Sequence, residues 1–425
     1  MLDIKYLREN TEEATSRLKR REPDIDLNKI IEIDAEYRKA LSEAENLKSI
    51  LKKNSKEIGI KKKAGESTEE LMQEMAKFRD EIKEKENKAD ELKNDLNNLL
   101  SMLPNYPHPD VPTDPNKKNN KLIRDWGQKR EFDFKFMNHV EIGARHDWFD
   151  FERGAKISGS QWPLYKGWAA RLEYALINFM IDFNIKKGFQ LIIPPFLANE
   201  ATLYTSGNLP KFADQLYKCR DDELYMIPTS EVSLTSMHRD EIVLEDDLPI
   251  YYTSYSPCFR REAGTYGAEE RGLVRVHQFN KVETYVFCTP EKSYEELEKM
   301  TSNVEDMLQA LELHYRTMLL VTGDLGQQAA KTYDVEVWLP GQDAYYEVSS
   351  CSNCEDYQAR RGNIRYRPKG EKQKPQFVHT LNGSALATSR LLISIVENNQ
   401  ESDGRVRVPK VLQPYMGGVE YIPAL

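Results

Sequence analysis

Two heptad runs, one after the other, constrain this chain more than anything else in it. Ile30, Ile33, Tyr37, Ala40, Ala44, Leu47, Leu51, Asn54 and Ile58 recur at alternating three- and four-residue steps. Leu71, Met75, Phe78, Ile82, Lys85, Ala89, Leu92, Leu96 and Leu99 repeat the spacing. That is a coiled-coil seam, and a seam buries only a narrow stripe, so such helices project rather than form a globule. Residues 59–65 supply a glycine-flanked turn, and Ser67-Thr68-Glu69-Glu70 reads as a capping box that starts the second helix. The pattern predicts an antiparallel helical hairpin over residues 28–100, extending roughly 45 Å.

The far half of this arm is basic. Lys48, Lys52, Lys53, Lys56, Lys61, Lys62 and Lys63 face a single Glu57. A rigid arm with a cationic tip suits a phosphate backbone. A dimerising or spacer coiled coil with a lysine-rich solvated surface would carry the same pattern.

Prolines 104, 107, 109, 112 and 115 then break all helical texture. They divide the chain into residues 1–103, a linker over 104–125, and a larger domain over 126–425. The larger part alternates short β-rich runs with a few amphipathic helices, which predicts a largely antiparallel sheet flanked by helices, an α+β architecture. It carries no Rossmann or Walker glycine fingerprint, so any nucleotide must be held without a P-loop. The net charge of −9 neither demands nor excludes a polyanionic partner. No apolar run approaches the ~20 residues of a membrane span, and the polar start MLDIKYLREN lacks a secretory h-region. Five cysteines, an odd number, read as free thiols in a reducing cytoplasm. Cys351 and Cys354 form a lone CxxC with no second pair, so no structural zinc is expected.

The chemistry concentrates in residues 258–279, CFRREAGTYGAEERGLVRVHQF, where two β-rich flanks enclose a glycine-containing charged loop. Four arginines (Arg260, Arg261, Arg271 and Arg275) fall within sixteen residues. Arginine is the side chain suited to bidentate contact with carboxylate and phosphate.

Phe259-Arg260-Arg261-Glu262, the loop, and Arg275 through Phe279 resemble motif 2 of class II aminoacyl-tRNA synthetases. LIIPPFL around Pro195 resembles motif 1, and Leu381-Asn382-Gly383-Ser384 through Arg390 resembles motif 3. TSGNLPKF, PTSE, CFRREAG, HQFNKVE, EVSSCSNC and LNGSALA, in that order and together with the arm, resemble the seryl-tRNA synthetase family over essentially the whole chain. The resemblance implies a ligase that activates L-serine with ATP and passes it to the 3′-terminal adenosine of tRNA(Ser), and of tRNA(Sec) where present. It also implies a cytoplasmic homodimer. A non-catalytic relative that binds RNA or protein would have lost Arg260, Glu262 or Arg390, and all three are present. A relative that charges carrier proteins would lack the long arm.

Residue by residue, the resemblance implies catalytic roles for Arg260, Glu262 and Arg390. Arg260 would bridge the serine carboxylate and the α-phosphate, where charge develops. Glu262 would accept from the adenine amino group, Phe279 would stack on the ring, and Val276 would offer its backbone. Arg261, Arg275 and Arg390 would hold phosphates. Glu347, Val348, Ser349 and Ser350 complete the implied ATP set, with Glu347 and Ser350 as oxygen ligands to Mg2+. Serine would meet Thr229, Ser230, Glu231, Arg260, Glu283, Asn382 and Ser384. Lys52, Lys53, Lys56, Lys61, Lys62 and Lys63 would meet tRNA. Motif 3 departs from the usual glycine-rich pattern, keeping only Gly383 before Arg390.

Overall fold

In the computed structural model, which describes residues 1–263, 272–370 and 373–422, the chain divides into two units, Leu2–Leu103 and Pro104–Leu425, with Met1 counted in the second. Gly264, Gly267, Glu269, Glu270 and Arg271, all in the charged loop, lie outside the described residues.

The first unit begins with two short helices, α1 (Ile4–Glu9) and α2 (Thr11–Lys19). The heptad runs follow as α3 (Asn28–Ala64) and α4 (Glu69–Met102). At ~1.5 Å per residue these helices span roughly 55 and 50 Å. Ala40, Ala44, Met75, Ile82, Ala89, Leu92 and Leu96 are buried along the seam, as the periodicity predicts. Cross-helix pairs flank it, Lys48 with Glu86 at 2.5 Å and Lys85 with Glu43 at 2.6 Å. Near the base, Arg8 (3.0 Å) and Arg38 (2.9 Å) both bond the buried Asp34 carboxylate.

The turn is shorter than the sequence suggests. Gly59 and Lys61, Lys62 and Lys63 are helical, and the chain reverses only at Gly65, whose φ of 75° ends α3 in a left-handed cap. One glycine costs a helix only about 1 kcal/mol, too little to stop a long cooperative one, whereas the left-handed position needs a residue without Cβ. The capping box does not form either. Thr68 is the N-cap but makes no side-chain cap bond; its hydroxyl points to the Met72 sulfur at 3.7 Å.

The second unit is built on an eight-stranded sheet. Its strands are β1 (Lys121–Trp126), β2 (Gln190–Leu191), β3 (Ile250–Phe259), β4 (Gln278–Cys288), β5 (Tyr315–Leu319), β6 (Lys331–Leu339), β7 (Ala344–Asn353) and β8 (His379–Ala387). They lie in the order β1-β5-β6-β7-β8-β4-β3-β2, antiparallel throughout except that β2 runs parallel to β3. The proline-rich segment packs onto this unit: the Asn105 amide donates to the carbonyls of Gln328 and Cys354, both at 2.9 Å, and Val111 is buried. Helices α5 (His139–His146), α6 (Gly167–Lys186), α7 (Ser230–Thr235), α8 (Ser293–Ala310), α9 (Tyr357–Gly362) and α10 (Thr388–Asn398) surround the sheet. Leu172, Leu176 and Met180 of α6, Met300, Val304 and Met307 of α8, and Leu391, Leu392 and Ile395 of α10 share one core with the sheet.

Two neighbouring strands are irregular. β7 shifts register between Glu347 and Ser349 against β6, and β8 shifts between Ser384 and Ala387 against β4. Within the second, Leu386 has a φ of 91°, a costly conformation for a bulky residue. Bulges of this kind re-aim the side chains beside them.

Gly383 sits at mid-strand in β8 for a packing reason. A Cβ there would lie 2.6 Å from the Met300 sulfur of α8 and 3.0 Å from the Cys351 sulfur of β7. Gly383→Ala should therefore separate α8 from the sheet and cost roughly 1–3 kcal/mol, the usual range for an overpacked core. Thermal and urea unfolding of the purified variant measure this, and an unchanged midpoint would contradict the close-packing reading.

Candidate active site

A cleft of about 250 Å³ opens over the ends of β4, β7 and β8. Arg260, Glu262, Arg275, Val276 and Phe279 line it from the charged hairpin, Glu347 from β7, Ser384 from β8 and Arg390 from α10. Segments distant in sequence converge here because β4 and β8 are sheet neighbours.

The hairpin is anchored where it leaves the sheet. Arg260 N–H donates to the His277 carbonyl at 2.9 Å, and the His277 ring meets the Arg260 carbonyl at 3.0 Å. The Arg260 side chain donates to the Pro228 carbonyl at 3.3 Å and lies 5.1 Å from the centroid of Phe279. Glu262, with a φ of 48°, accepts from Arg275 at 2.6 Å. Arg390, two residues into α10, donates to the Val274 carbonyl at 3.2 Å and the Glu347 carbonyl at 2.9 Å. Three guanidinium groups around one half-buried cleft make it a site for an anion. Arg261 is exposed, with its backbone held by the Gln215 carbonyl at 3.0 Å.

The returning limb departs from expectation. The composition of residues 273–276 predicts strand, yet β4 begins only at Gln278. Leu273 and Val274 are buried, and the Leu273 N–H bonds a side chain, His139, so the limb is held by side chains instead of a ladder.

Deeper in lies a second, acidic pocket. Thr229 caps α7, placing Glu231 inside it. The Glu231 Oε1 accepts from Gln358 at 2.7 Å, Asn382 at 3.2 Å and Gln328 at 3.3 Å. Glu283, on β4 opposite Ser384 of β8, is fully enclosed and ion-paired to Lys281. Thr229 bridges that pair, donating to Glu283 at 3.1 Å and accepting from Lys281 at 2.7 Å. Burial, with the Glu283 charge added, pushes the Glu231 carboxyl up to about 7. Two buried carboxylates with one lysine between them leave a place for one further cation.

Not every expected residue reaches these cavities by its side chain. Val348 is buried in the core, and the Ser349 hydroxyl donates to the Ser384 carbonyl at 2.5 Å. Ser230 turns away to Ser256 at 2.6 Å. Ser350 lies opposite Asp334 in the β6–β7 ladder, and one buried Asp334 oxygen has no hydrogen-bond partner among the described residues. Lys281, Gln358, Gln328 and Asp334 belong to the site but do not stand out in the sequence. Lys281 alone has a signal there, two residues before Glu283 on the same strand face. The cysteines Cys351 and Cys354 are buried free thiols, Cys354 accepting from Asn382 at 3.4 Å. On the arm, Lys52, Lys53, Lys56, Lys62 and Lys63 are exposed, and Lys61 pairs with Glu57 at 3.2 Å.

Comparison with known proteins shows the family. Residues 217–399 match the class II tRNA synthetase core domain shared by the glycine, histidine, proline, serine and threonine enzymes, which defines the class. Residues 1–107 match the seryl-tRNA synthetase N-terminal domain. The chain is 49% identical over 420 residues to the serine--tRNA ligase of Thermodesulfovibrio yellowstonii, spanning 98% of this chain and 99% of that one. Its fold matches the seryl-tRNA synthetase from Pyrococcus horikoshii complexed with ATP, with a TM-score of 0.92 and 41% identity over 100% of both chains. The cytoplasmic serine-tRNA ligase from Naegleria fowleri in complex with AMP gives a TM-score of 0.88 and 33% identity, over 100% of this chain and 99% of that one. This chain belongs to the seryl-tRNA synthetase family.

The raised Glu231 carboxyl links stability to pH. Its folded value of about 7 lies above the ordinary 4.5, so folding favours the protonated form. That contribution is full below pH 4.5 and is lost as pH rises through 7, worth on the order of 3 kcal/mol at most. The difference in urea midpoint between wild type and Glu231→Gln should therefore shift in favour of the variant from about pH 5 to about pH 8. A difference that stays constant over that range would refute the assignment.

Proposed function

We propose that this chain is a serine--tRNA ligase: it activates L-serine with ATP to seryl-adenylate and transfers serine to the 3′-terminal adenosine of tRNA(Ser). The observation that carries the reading is the juxtaposition of an arginine-lined cleft with an enclosed acidic pocket, joined at Ser384 and Lys281. It rests further on the full-length identity to serine--tRNA ligases. We extend the reading to tRNA(Sec) where that tRNA is present.

The chemistry follows from the side chains. Bringing a carboxylate to an α-phosphate means overcoming repulsion between two anions, and the Arg260 guanidinium at the junction offsets it most when charge develops on the phosphorus oxygens. Arg260 and Phe279 already pack together, so the arginine is pre-oriented and the ring offers a stacking surface for adenine. Glu262 pairs with Arg275 here and is released to the adenine amino group if Arg275 turns to phosphate. Arg390 lines the same cleft from α10, and the exposed Arg261, next to Arg260 in the chain, is assigned to phosphate as well. Val276, Val348 and Ser349 contribute backbone only.

In the acidic pocket, Glu231 takes the ammonium, with Thr229, Ser230 and Asn382 fixing its surroundings. Glu283 and Ser384 meet the hydroxyl. Lys281 neutralises Glu283, so the pocket keeps one negative charge for the incoming ammonium. An alanine would lack the hydroxyl that Glu283 and Ser384 are placed to bond, so the polar pocket would disfavour it.

Glu347 and Ser350, with the orphaned oxygen of Asp334 beside them, form an all-oxygen set that fits Mg2+. Among the described residues no three His, Cys, Asp or Glu side chains gather around a metal on their own. An ion shared with triphosphate needs only one or two protein carboxylates. Mg2+ bound there would neutralise phosphate charge; Glu347 and Ser350 would hold it.

Residues 1–103 are assigned to tRNA through the lysine-rich tip, 104–125 to the connection and 126–425 to catalysis. Among the described residues no helix is long and apolar enough to cross a membrane, and we place the enzyme in the cytoplasm with its tRNA.

Pyrophosphate exchange across a panel of amino acids should respond to serine alone, and Arg260→Ala should lower it by roughly a hundredfold or more with unchanged melting. Exchanging Lys52, Lys53, Lys56, Lys61, Lys62 and Lys63 for Ala should leave exchange intact. It should cut tRNA charging by roughly tenfold or more and flatten its salt dependence. Normal charging by that variant would remove the arm from tRNA binding.

A symmetric homodimer is also expected. β2 ends the strand order of the sheet, and Tyr174 (66%) and Ile185 (45%) of α6 and Ile193 (78%), two residues past β2, are exposed. Light scattering should give twice 49.4 kDa at micromolar concentration; the single-chain mass would overturn this.

A further inference from the structure

His139, at the first position of α5, is fully enclosed and is not among the residues that line the cleft. Its Nδ1 meets the Glu397 carboxylate of α10 at 2.9 Å, and its backbone N–H donates to the same oxygen at 2.7 Å. The other Glu397 oxygen accepts the Gly341 N–H at 2.8 Å, so the carboxylate is held on both sides. His139 Nε2 accepts the Leu273 N–H at 3.2 Å. Because Leu273 is a donor, Nε2 carries no proton, and Nδ1 carries the proton given to Glu397. The ring is thus a neutral connector with one fixed tautomer.

What it connects is specific. Leu273 lies two residues before Arg275. Gly272, with a φ of 72°, is pressed so close that a Cβ would sit 2.2 Å from His139 Nε2. The next carbonyl, Val274, is bonded by Arg390. Arg390 and Glu397 are seven residues apart, on one face of α10. The outgoing limb is pinned separately, by Gln215 accepting from Arg261 and, through its side chain at 3.1 Å, from Ala263.

We infer that His139 is a positioning residue for nucleotide binding: with Glu397 it fixes the returning limb of the hairpin at Leu273 and so sets where Arg275 enters the cleft. α10 then holds that limb at two points, directly through Arg390 and through His139. The inference rests on the assignment of Arg275 to ATP, and the measurements separate the two.

Two substitutions divide the connector. His139→Gln places an amide oxygen near the Nε2 position and keeps the acceptor for Leu273. His139→Asn keeps a donor to Glu397 and loses that acceptor. In pyrophosphate exchange, His139→Asn should raise the KM for ATP by about tenfold or more, with the KM for serine within about twofold. His139→Gln should restore the ATP value to within about threefold of wild type. Amide hydrogen exchange over residues 273–276 should quicken by about tenfold or more in His139→Asn and return toward wild type in His139→Gln. A merely structural histidine would move both KM values together, or would respond alike to both substitutions, and either result overturns the inference. Arg275→Ala serves as the control. If it leaves the ATP KM unchanged, the nucleotide assignment fails, and the hydrogen-exchange comparison alone decides the role of His139. Should His139→Asn fail to fold, Glu397→Gln gives the same readouts from the other end of the contact: a selective rise in ATP KM supports the connection, and none overturns it.

Discussion

Everything chemical in this molecule hangs on the pairing of β4 between β3 and β8. Its ladder with β3 runs without a slip from Ile250 opposite Phe287 to Phe259 opposite Gln278. A one-residue shift in that register would turn every side chain to the other face. Lys281 and Glu283 face the acidic pocket, while Val282, Val286 and Cys288 enter the core. Because the strand is central and buried on both sides, neither set can move without unmaking the other. The hairpin limbs that carry Arg260 and Arg275 are extensions of the same two strands.

Around this ladder the protein tolerates electrostatic arrangements that cost stability. Glu231 and Glu283 are buried close enough to repel, and Asp334 is pushed well above the carboxylate range by burial and by the Glu347 charge. Such groups persist because their neighbours are donors: two glutamines and an asparagine on Glu231, Lys281 and Thr229 on Glu283. The bulges at Glu347 and Ser384, with Leu386 in a left-handed conformation, are a backbone cost of the same kind. Strain and unmatched charge collect where ligands of opposite charge would relieve them.

Much of this is legible in the sequence. The heptads locate α3 and α4 because a coiled-coil seam is a local, periodic signal, and the β-rich flanks of the charged loop around Arg260 are local too. The misreadings have a common cause. Gly59 and the Ser67–Glu70 pattern are local signals that a long helix and a four-residue turn override. Residues 273–276 have strand composition, but their partners are His139 and Arg390, distant in the chain. Val348 and Ser349 turn their side chains away from the cleft because alternation along β7 depends on a bulge that composition does not announce, while Ser230, at the first position of α7, is aimed at Ser256 by its helix. Asp334 reaches the site through sheet order, and Gln358 of α9 and Gln328 of the segment before β6 reach it through tertiary packing, neither of which any spacing encodes.

The arm carries a consequence for how such a protein can change over time. Its two helices are unbroken from Asn28 to Ala64 and from Glu69 to Met102, with one glycine at the reversal. Inserting a single residue in one helix would rotate everything beyond it by about 100° and throw the seam out of phase. The length can therefore grow or shrink only by matched heptads in both limbs, in increments of about 10 Å. An arm built this way is in that sense graduated, and any lineage that changes its length must do so in whole divisions of the rule.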